Sequence, residues 1–248
     1  METIIYKTKG PVGCLTLDRP EKYNAIDEKM VAELHRFWQD RMSDNNIRVI
    51  ILDGGKAKGF CAGLDMKTFG PSLLNEMNPS ESCHAQARLS RLLQAMRRAP
   101  QPIICCVHGA AAGLGFSLAM ASDIRILAYD ARFSAAYINI GLGGADMASS
   151  YFLPRLIGSG RANEFLLTGN WMSAKEAMDL GFASRLVSKE KLLDTAWEIA
   201  KTIADKDPMG VGMTKEVINI NIDAGGLEAS LQMEDRNQMM IAFSKRIK

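Results

Sequence analysis

The sequence predicts an α/β fold in which ββα units are repeated and stacked into one domain. Three observations support this fold class. Two strand patterns precede a helix pattern near the N-terminus, short buried strands later alternate with glycine-rich loops and helices, and the pattern from Leu192 onward is almost wholly helical. The units share an order of elements but no strict sequence repeat.

The composition is that of an ordinary globular protein, with 47% hydrophobic and 23% charged residues among 248. A net charge of +2 gives no reason to expect nucleic acid or an acidic membrane surface as a partner. The N-terminal segment alternates like a strand and no apolar run reaches the roughly 18 residues of a membrane span, so we expect a cytoplasmic protein. The five cysteines favour reduced thiols, and neither they nor the three histidines show a metal-ligand spacing.

The first part of the chain predicts two strands, a helix and a third strand before a glycine-rich loop. These elements are expected at residues 3–8, at 12–17, around Met30, Leu34 and Phe37, and at 48–53. The glycine-rich loop follows at 54–63. Residues 68–82 are rich in glycine, proline and asparagine, which predicts a surface loop or mobile lid, and a helix is predicted over 83–98.

A second glycine-rich segment lies at the centre of the chain. A buried strand pattern at 103–107 leads through Gly109 to Gly113 into a helix predicted over 114–121. A strand that enters a helix through glycines directs unpaired backbone N–H groups outward. Such groups bind a phosphate, or a carbonyl oxygen that becomes negative during a reaction, and the pattern alone does not distinguish these ligands.

The C-terminal half predicts further short strands at 124–127 and 132–134, and helices at 155–168 and 173–180. We divide the chain into a ββα domain at 1–190 and a helical region at 191–248, with helix breaks at 208–212 and at 225–226. The helical region is too thin to bury its own apolar face. It is therefore expected to pack on its own domain or on another subunit, which predicts an oligomer.

Four motifs in this order resemble the enoyl-CoA hydratase/isomerase family, also called the crotonase superfamily: RPEKYNAID at 19–27, GFCAGLDM at 59–66, HGAAAGLGFSLAMASDIRI at 108–126 and LPRLIGSGRANEFLLTG at 153–169. The resemblance covers almost the whole chain. It implies a spiral of ββα units followed by helices that form trimers, which usually pair into hexamers.

By the same resemblance, the substrate is an acyl-CoA thioester. Its enolate or tetrahedral anion is stabilised by two backbone N–H groups, which fall on Leu64 and on Leu114 in this sequence. The alternative is that both loops are tight turns that only pack strand against helix. Coenzyme A is then part of the substrate, and we expect no permanently bound cofactor, flavin, nicotinamide or metal.

The two glutamates of enoyl-CoA hydratases correspond to Ser117 and Tyr137, neither of which can act as a carboxylate base. The Ser117 hydroxyl could hold a water or a substrate oxygen, or bond its own helix backbone. Tyr137 could orient the substrate or simply pack. The sequence therefore does not favour hydration by two carboxylates.

Asp146 lies where several branches of the family place a catalytic aspartate. Its glycine, alanine and methionine neighbours would raise its pKa and make it a better base. The alternative is that Asp146 caps a helix beginning near Met147. As a base it would support isomerase-type proton transfer. A hydrolase or dehalogenase using Asp146 as nucleophile or base, and a non-catalytic acyl-CoA-binding protein, remain the other hypotheses.

The resemblance also implies positions that line the coenzyme A. The expected coenzyme A contacts are Lys22, Ala25, Ala62, Leu64, Asp65, Met66, Gly113 and Leu114, together with Phe243 and Lys245 reaching a neighbouring subunit. For Lys245 a solvated tail is the alternative. A roomy apolar acyl pocket is expected from Met66, Phe69, Leu73, Leu74, Met77 and Met147, a lining that does not identify the acyl group.

Overall fold

The computed structural model describes residues 1–71 and 78–245. The strands in this part of the chain are β1 Ile4–Lys9, β2 Val12–Leu17, β3 Val49–Asp53, β4 Ile103–Val107, β5 Ala110–Ala112, β6 Ile124–Ala128, β7 Arg132–Ser134, β8 Met172–Ser173 and β9 Arg185–Val187. The helices are α1 Glu28–Arg41, α2 Met66–Pro71, α3 Pro79–Arg98, α4 Leu114–Ala121, α5 Ser149–Ile157, α6 Ser159–Thr168, α7 Ala174–Asp179, α8 Leu192–Ala204, α9 Pro208–Asn221 and α10 Leu227–Ser244. The α/β fold class is confirmed.

The described strands form two sheets. The larger sheet has the order β1-β2-β3-β4-β6-β9, in which β1 and β2 form an antiparallel hairpin and the other neighbours are parallel. The smaller sheet has the order β5-β7-β8. Because β5 follows β4 after two residues, the smaller sheet begins at the carboxyl end of the larger one.

The central strands are mostly apolar on both faces because both faces are covered. In β3, Ile50 and Leu52 belong to the main hydrophobic core, whereas Val49 and Ile51 face a second cluster on the opposite side. Helix α8 covers that second side with a stripe of small and apolar residues at helical spacing: Leu192, Ala196, Ala200 and Ala204. The first helix of the C-terminal region thus packs on the sheet of its own chain.

Helix α3 begins earlier than the sequence predicts. Its N-cap is Asn78, Pro79 occupies the first turn, and Asn78 and Glu81 form a capping box. Proline fits at this position because the first helical N–H has no acceptor within the helix. The loop predicted over 68–82 is therefore wrong at both ends, which lie in α2 and α3, while residues 72–77 lie outside the described part.

Two other helix boundaries also differ from the prediction. The single helix expected over 155–168 is divided into α5 and α6 at Gly158, whose φ is +81°. The break predicted at 208–212 is the first turn of α9, because Pro208 opens that helix and Asp207 accepts a hydrogen bond from the Gly210 N–H.

The last two helices bury little apolar surface within one chain. Helix α9 is attached through Lys215, whose buried Nζ lies 2.9 Å from Asp123 Oδ2 and donates to the Gln101 carbonyl at 2.8 Å. No residue of α10 is buried, and Leu227 is 74% exposed. None of the helices in the described ranges is long and apolar enough to cross a membrane. The division at residue 190 remains a prediction.

Candidate active site

The site forms where two glycine-containing loops meet: a first loop at residues 59–65 and a second loop at residues 108–113. A parallel bridge joins Cys61 to Ala111. In this bridge the Cys61 N–H donates to the Ala110 carbonyl at 3.1 Å, and the Ala112 N–H donates to the Cys61 carbonyl at 2.9 Å. The ends of both loops therefore lie side by side.

Two glycines permit this close approach. A Cβ at Gly115 would overlap the Cys61 carbonyl oxygen and lie 2.7 Å from the Cys61 Cβ. A Cβ at Gly63, where φ is +91°, would lie 2.8 Å from the Ala112 carbonyl oxygen and 3.4 Å from the Leu114 nitrogen. Side chains at these positions would push the loops apart.

The loops present two unpaired amide donors. The Ile26 N–H donates to the Gly63 carbonyl at 2.8 Å and the Ile26 carbonyl accepts from the Asp65 N–H at 2.9 Å, so the Leu64 N–H points to the opposite side. Leu114 opens α4, where a helix has no internal acceptor for its N–H. Within residues 1–71 and 78–245, neither the Leu64 nor the Leu114 amide donates to another group of the chain.

Both amides belong to residues that line the same cavity of about 610 Å³, which we call the inner cavity. Its walls come from the two loops, from one face of α3 and from residues 136–146. The lining is largely apolar, as expected for a small-molecule site. It comprises Ala62, Gly63, Leu64, Met66, Ser82, Cys83, Gln86, Ala87, Ser90, Gly113, Leu114, Ala136, Tyr137, Ile140, Leu142 and Asp146.

Asp146 is the only carboxylate among the described residues that line the inner cavity. Its Oδ1 accepts hydrogen bonds from Gln86 Nε2 at 2.6 Å and from the Met147 N–H at 2.7 Å. Burial raises the pKa of Asp146 above the usual carboxyl range, and the two hydrogen bonds partly oppose that rise. The helix-cap interpretation is wrong, because α5 begins at Ser149 with Ala148 as its N-cap.

Ser117 and Tyr137 form a buried hydroxyl pair, with 3.0 Å between their oxygens. Tyr137 lines the inner cavity, whereas Ser117 is fully buried in α4 and does not belong to the lining of that cavity as described. Burial raises the pKa of Tyr137, so the phenol stays protonated. The alternative in which the Ser117 hydroxyl bonds its own helix backbone is wrong, since its partner is the Tyr137 hydroxyl.

Only some of the predicted coenzyme A residues line the inner cavity. Ala62, Leu64, Met66, Gly113 and Leu114 line the inner cavity. Three more belong to the same region but are absent from that lining as far as the structure describes it. These are Asp65, whose carboxylate lies 3.3 Å from the Arg19 guanidinium, Lys22, which ends an exposed turn, and Ala25, whose carbonyl accepts from Arg19.

An outer cavity of about 430 Å³ adjoins the inner one, and Ala62 lines both. Lys58 and Arg132 line it together with Tyr23. The sequence interpretation missed these cations. The lysines that flank Ala57, directly before GFCAGLDM, were the available signal for Lys58, whereas Arg132 reaches this position only through the pairing of β7 with β5.

The remaining predicted contacts lie elsewhere. Phe69 and Met147 are buried in the hydrophobic core, and Leu73, Leu74 and Met77 lie outside the described residues. Lys245 lines a separate cavity between the C-terminal helices and the core, and Phe243, near the end of α10, is 51% exposed. Contact of Phe243 and Lys245 with a neighbouring subunit remains a prediction.

The fold and this pair of loops define a protein of the crotonase superfamily. The chain belongs to the enoyl-CoA hydratase/isomerase family, whose sequence profile matches residues 7–248.

Three relatives illustrate this membership. A protein of Mycobacterium bovis named as a probable enoyl-CoA hydratase is 38% identical over 96% of this chain and 84% of its own length. The 1,2-epoxyphenylacetyl-CoA isomerase of Escherichia coli is 34% identical over 98% of this chain and 92% of its own. A crystal structure of a probable enoyl-CoA hydratase/isomerase from Mycobacterium abscessus superimposes with a TM-score of 0.89 at 32% identity, covering 98% of this chain and 91% of the other.

Gly115→Ala should destabilise the protein by roughly 1–3 kcal/mol, because the new methyl group must displace the Cys61 backbone. The control is Gly160→Ala in α6, where a Cβ meets nothing within 4 Å and helix propensity favours alanine. Urea denaturation compares the free energies of unfolding. Equal stabilities for the two variants would show that the loops do not depend on this close approach.

Proposed function

We propose that this protein moves a proton within an acyl-CoA thioester and thereby shifts a carbon–carbon double bond. The observation that carries the proposal is one half-buried carboxylate, Asp146, in the same cavity as the Leu64 and Leu114 amides, which donate to no described group of the chain. Two-carboxylate hydration has no second acid among the described lining residues. A reversible proton transfer needs only one.

In the proposed step, the Asp146 carboxylate removes a proton from the saturated carbon α to the thioester carbonyl of a 3-enoyl substrate, or from the γ carbon of a 2-enoyl substrate. The C–H electrons move into the thioester and form an enolate, whose oxygen accepts hydrogen bonds from Leu64 N–H and Leu114 N–H. The carboxylic acid then returns the proton to another carbon of the same system. Atoms and charge balance, and no oxidant or second substrate is needed.

The outer cavity suits the polar end of the substrate. Lys58 and Arg132 outnumber Asp130, the one carboxylate in the described lining of this cavity, and provide net positive charge for phosphate groups. Ala62 marks the junction with the inner cavity. An acyl chain in the inner cavity would then place its thioester at that junction, beside Leu64. The Escherichia coli relative is likewise named as an isomerase of an acyl-CoA, although its named substrate is an epoxide.

Asp146→Asn should slow deuterium incorporation into substrate by on the order of 10²- to 10⁴-fold, because the amide cannot accept the proton. The measurement is mass spectrometry of 2-enoyl, 3-enoyl, dienoyl and aryl-acyl CoA thioesters incubated with protein in deuterated water. The control is Asp40→Asn on the exposed face of α1. Unchanged exchange in Asp146→Asn would contradict the proposal. An acyl or aryl adduct trapped on Asp146 would favour a hydrolase or dehalogenase instead. Binding of a thioester without turnover would favour a non-catalytic acyl-CoA-binding protein.

Leu114→Pro tests the amide donor directly. Proline removes the N–H but fits the first position of α4, so circular dichroism should stay near that of the wild type. We expect the exchange rate to fall by on the order of 10²-fold or more. Leu114→Ala shortens the same buried side chain but keeps the N–H, so its exchange rate should fall far less. Equal losses in the two variants would mean that side-chain packing, not the amide, matters.

We also propose that α9 and α10 carry self-association into trimers or hexamers. Several large apolar side chains on these helices are exposed in the single chain: Ile218, Leu227, Met240 and Phe243. Sedimentation equilibrium should give three or six times the mass of one chain. A monomer at micromolar concentration would contradict this assignment.

A further inference from the structure

We infer that Gln86 is the residue that positions Asp146 and holds its carboxylate ready to accept a proton at Oδ2. This inference rests on the proposed function, which names Asp146 as the base. Gln86 Nε2 donates to Asp146 Oδ1 at 2.6 Å, from a helix that lies 60 residues away in sequence. Among the described side chains, Gln86 is the only one that donates a hydrogen bond to this carboxylate.

The two carboxylate oxygens of Asp146 differ in their hydrogen bonds. Oδ1 is occupied by Gln86 Nε2 and by the Met147 N–H at 2.7 Å, whereas no described residue donates to Oδ2. A base that must approach a substrate carbon needs one oxygen without a donor. Two hydrogen bonds on Oδ1 fix the plane of the carboxylate, and Oδ2 is left for the substrate.

The backbone around Asp146 is irregular, and its only described contribution to the carboxylate is the Met147 N–H. Met147 and Ala148, which directly follow Asp146, both have positive φ angles of +46° and +61°. Asp146 therefore lies before the helix rather than in it, and cannot be oriented by a regular helical turn. Gln86, on the middle of the long helix α3, connects this irregular segment to a rigid element.

An amide side chain suits a group that changes protonation state. Its NH₂ donates to the ionised carboxylate, and its carbonyl can accept from the protonated form after rotation of the amide. The titratable side chains that share the inner cavity with Asp146 are Cys83 from α3 and Tyr137, whose phenol stays protonated. In the described lining, no cation takes over the role of Gln86.

The test is the titration of Asp146 followed by ¹³C NMR of aspartate carboxyl carbons, with the signal assigned by its disappearance in Asp146→Asn. Gln86→Met removes the donor at nearly constant size and should raise the titration midpoint by about one pH unit. Gln86→Glu places two carboxyl groups in contact and should raise it by roughly two units or more. Gln94→Met, the same exchange on the exposed face of α3, should leave the midpoint unchanged.

The same variants are then compared in the exchange assay across pH. Because the base must be ionised, the rate rises with pH through the Asp146 pKa, and this acidic limb should move upward in Gln86→Met as the NMR midpoint does. A lowered rate with both midpoints unmoved would show a merely structural role and overturn the inference. The NMR titration needs no turnover. It therefore tests whether Gln86 holds the Asp146 carboxylate even if Asp146→Asn retains exchange and the proposed function fails.

Discussion

The close contact between the backbones of the two loops is the constraint on which the site depends. The Cys61–Ala111 bridge holds the loops at hydrogen-bonding distance, and Gly63 and Gly115 leave no side chain between them. At this separation Leu64 and Leu114 line one cavity. Main-chain donors held in this way need no reorganisation when charge develops on a bound oxygen, which is why they stabilise an anion more than mobile side chains do.

The larger sheet supplies the rigidity behind this contact. The parallel strands β3 and β4 end at the same edge, so the segments that follow them are brought together there. Apolar side chains on both faces bury these strands, with α8 covering one face and the main core the other. The functional groups are thus carried on loops, whereas the precision of their placement comes from the buried strands.

Sequence patterns predicted the parts of this arrangement that are local. The buried strands, the glycine turn and the helix at 114–121 each follow from a few consecutive residues, and the four family motifs fixed their order. Boundaries that depend on a single proline or glycine were less predictable. Pro79 lies in the first turn of α3 although the sequence predicted a loop there, and Pro208 begins α9 although the sequence predicted a helix break. Gly158 divides one predicted helix into two.

Contacts between distant segments could not be predicted from the sequence. The hydrogen bond from Gln86 to Asp146 joins two elements whose packing no local pattern specifies, and Arg132 reaches the outer cavity through strand pairing. The helix-cap interpretation of Asp146 failed for a related reason. Positive φ angles at Met147 and Ala148 delay the helix, and methionine and alanine are residue types that give no signal of that conformation in a sequence.

The most direct test of this account is a crystal structure with a bound 3-oxoacyl-CoA, whose thioester forms an enolate readily. We predict that the thioester carbonyl oxygen lies within about 2.7–3.1 Å of both the Leu64 and the Leu114 nitrogens. The acyl chain should occupy the inner cavity, with Asp146 Oδ2 facing a carbon that can lose a proton. A thioester oxygen bound by neither amide, or by water alone, would contradict the central claim that the two loops form an anion-stabilising site.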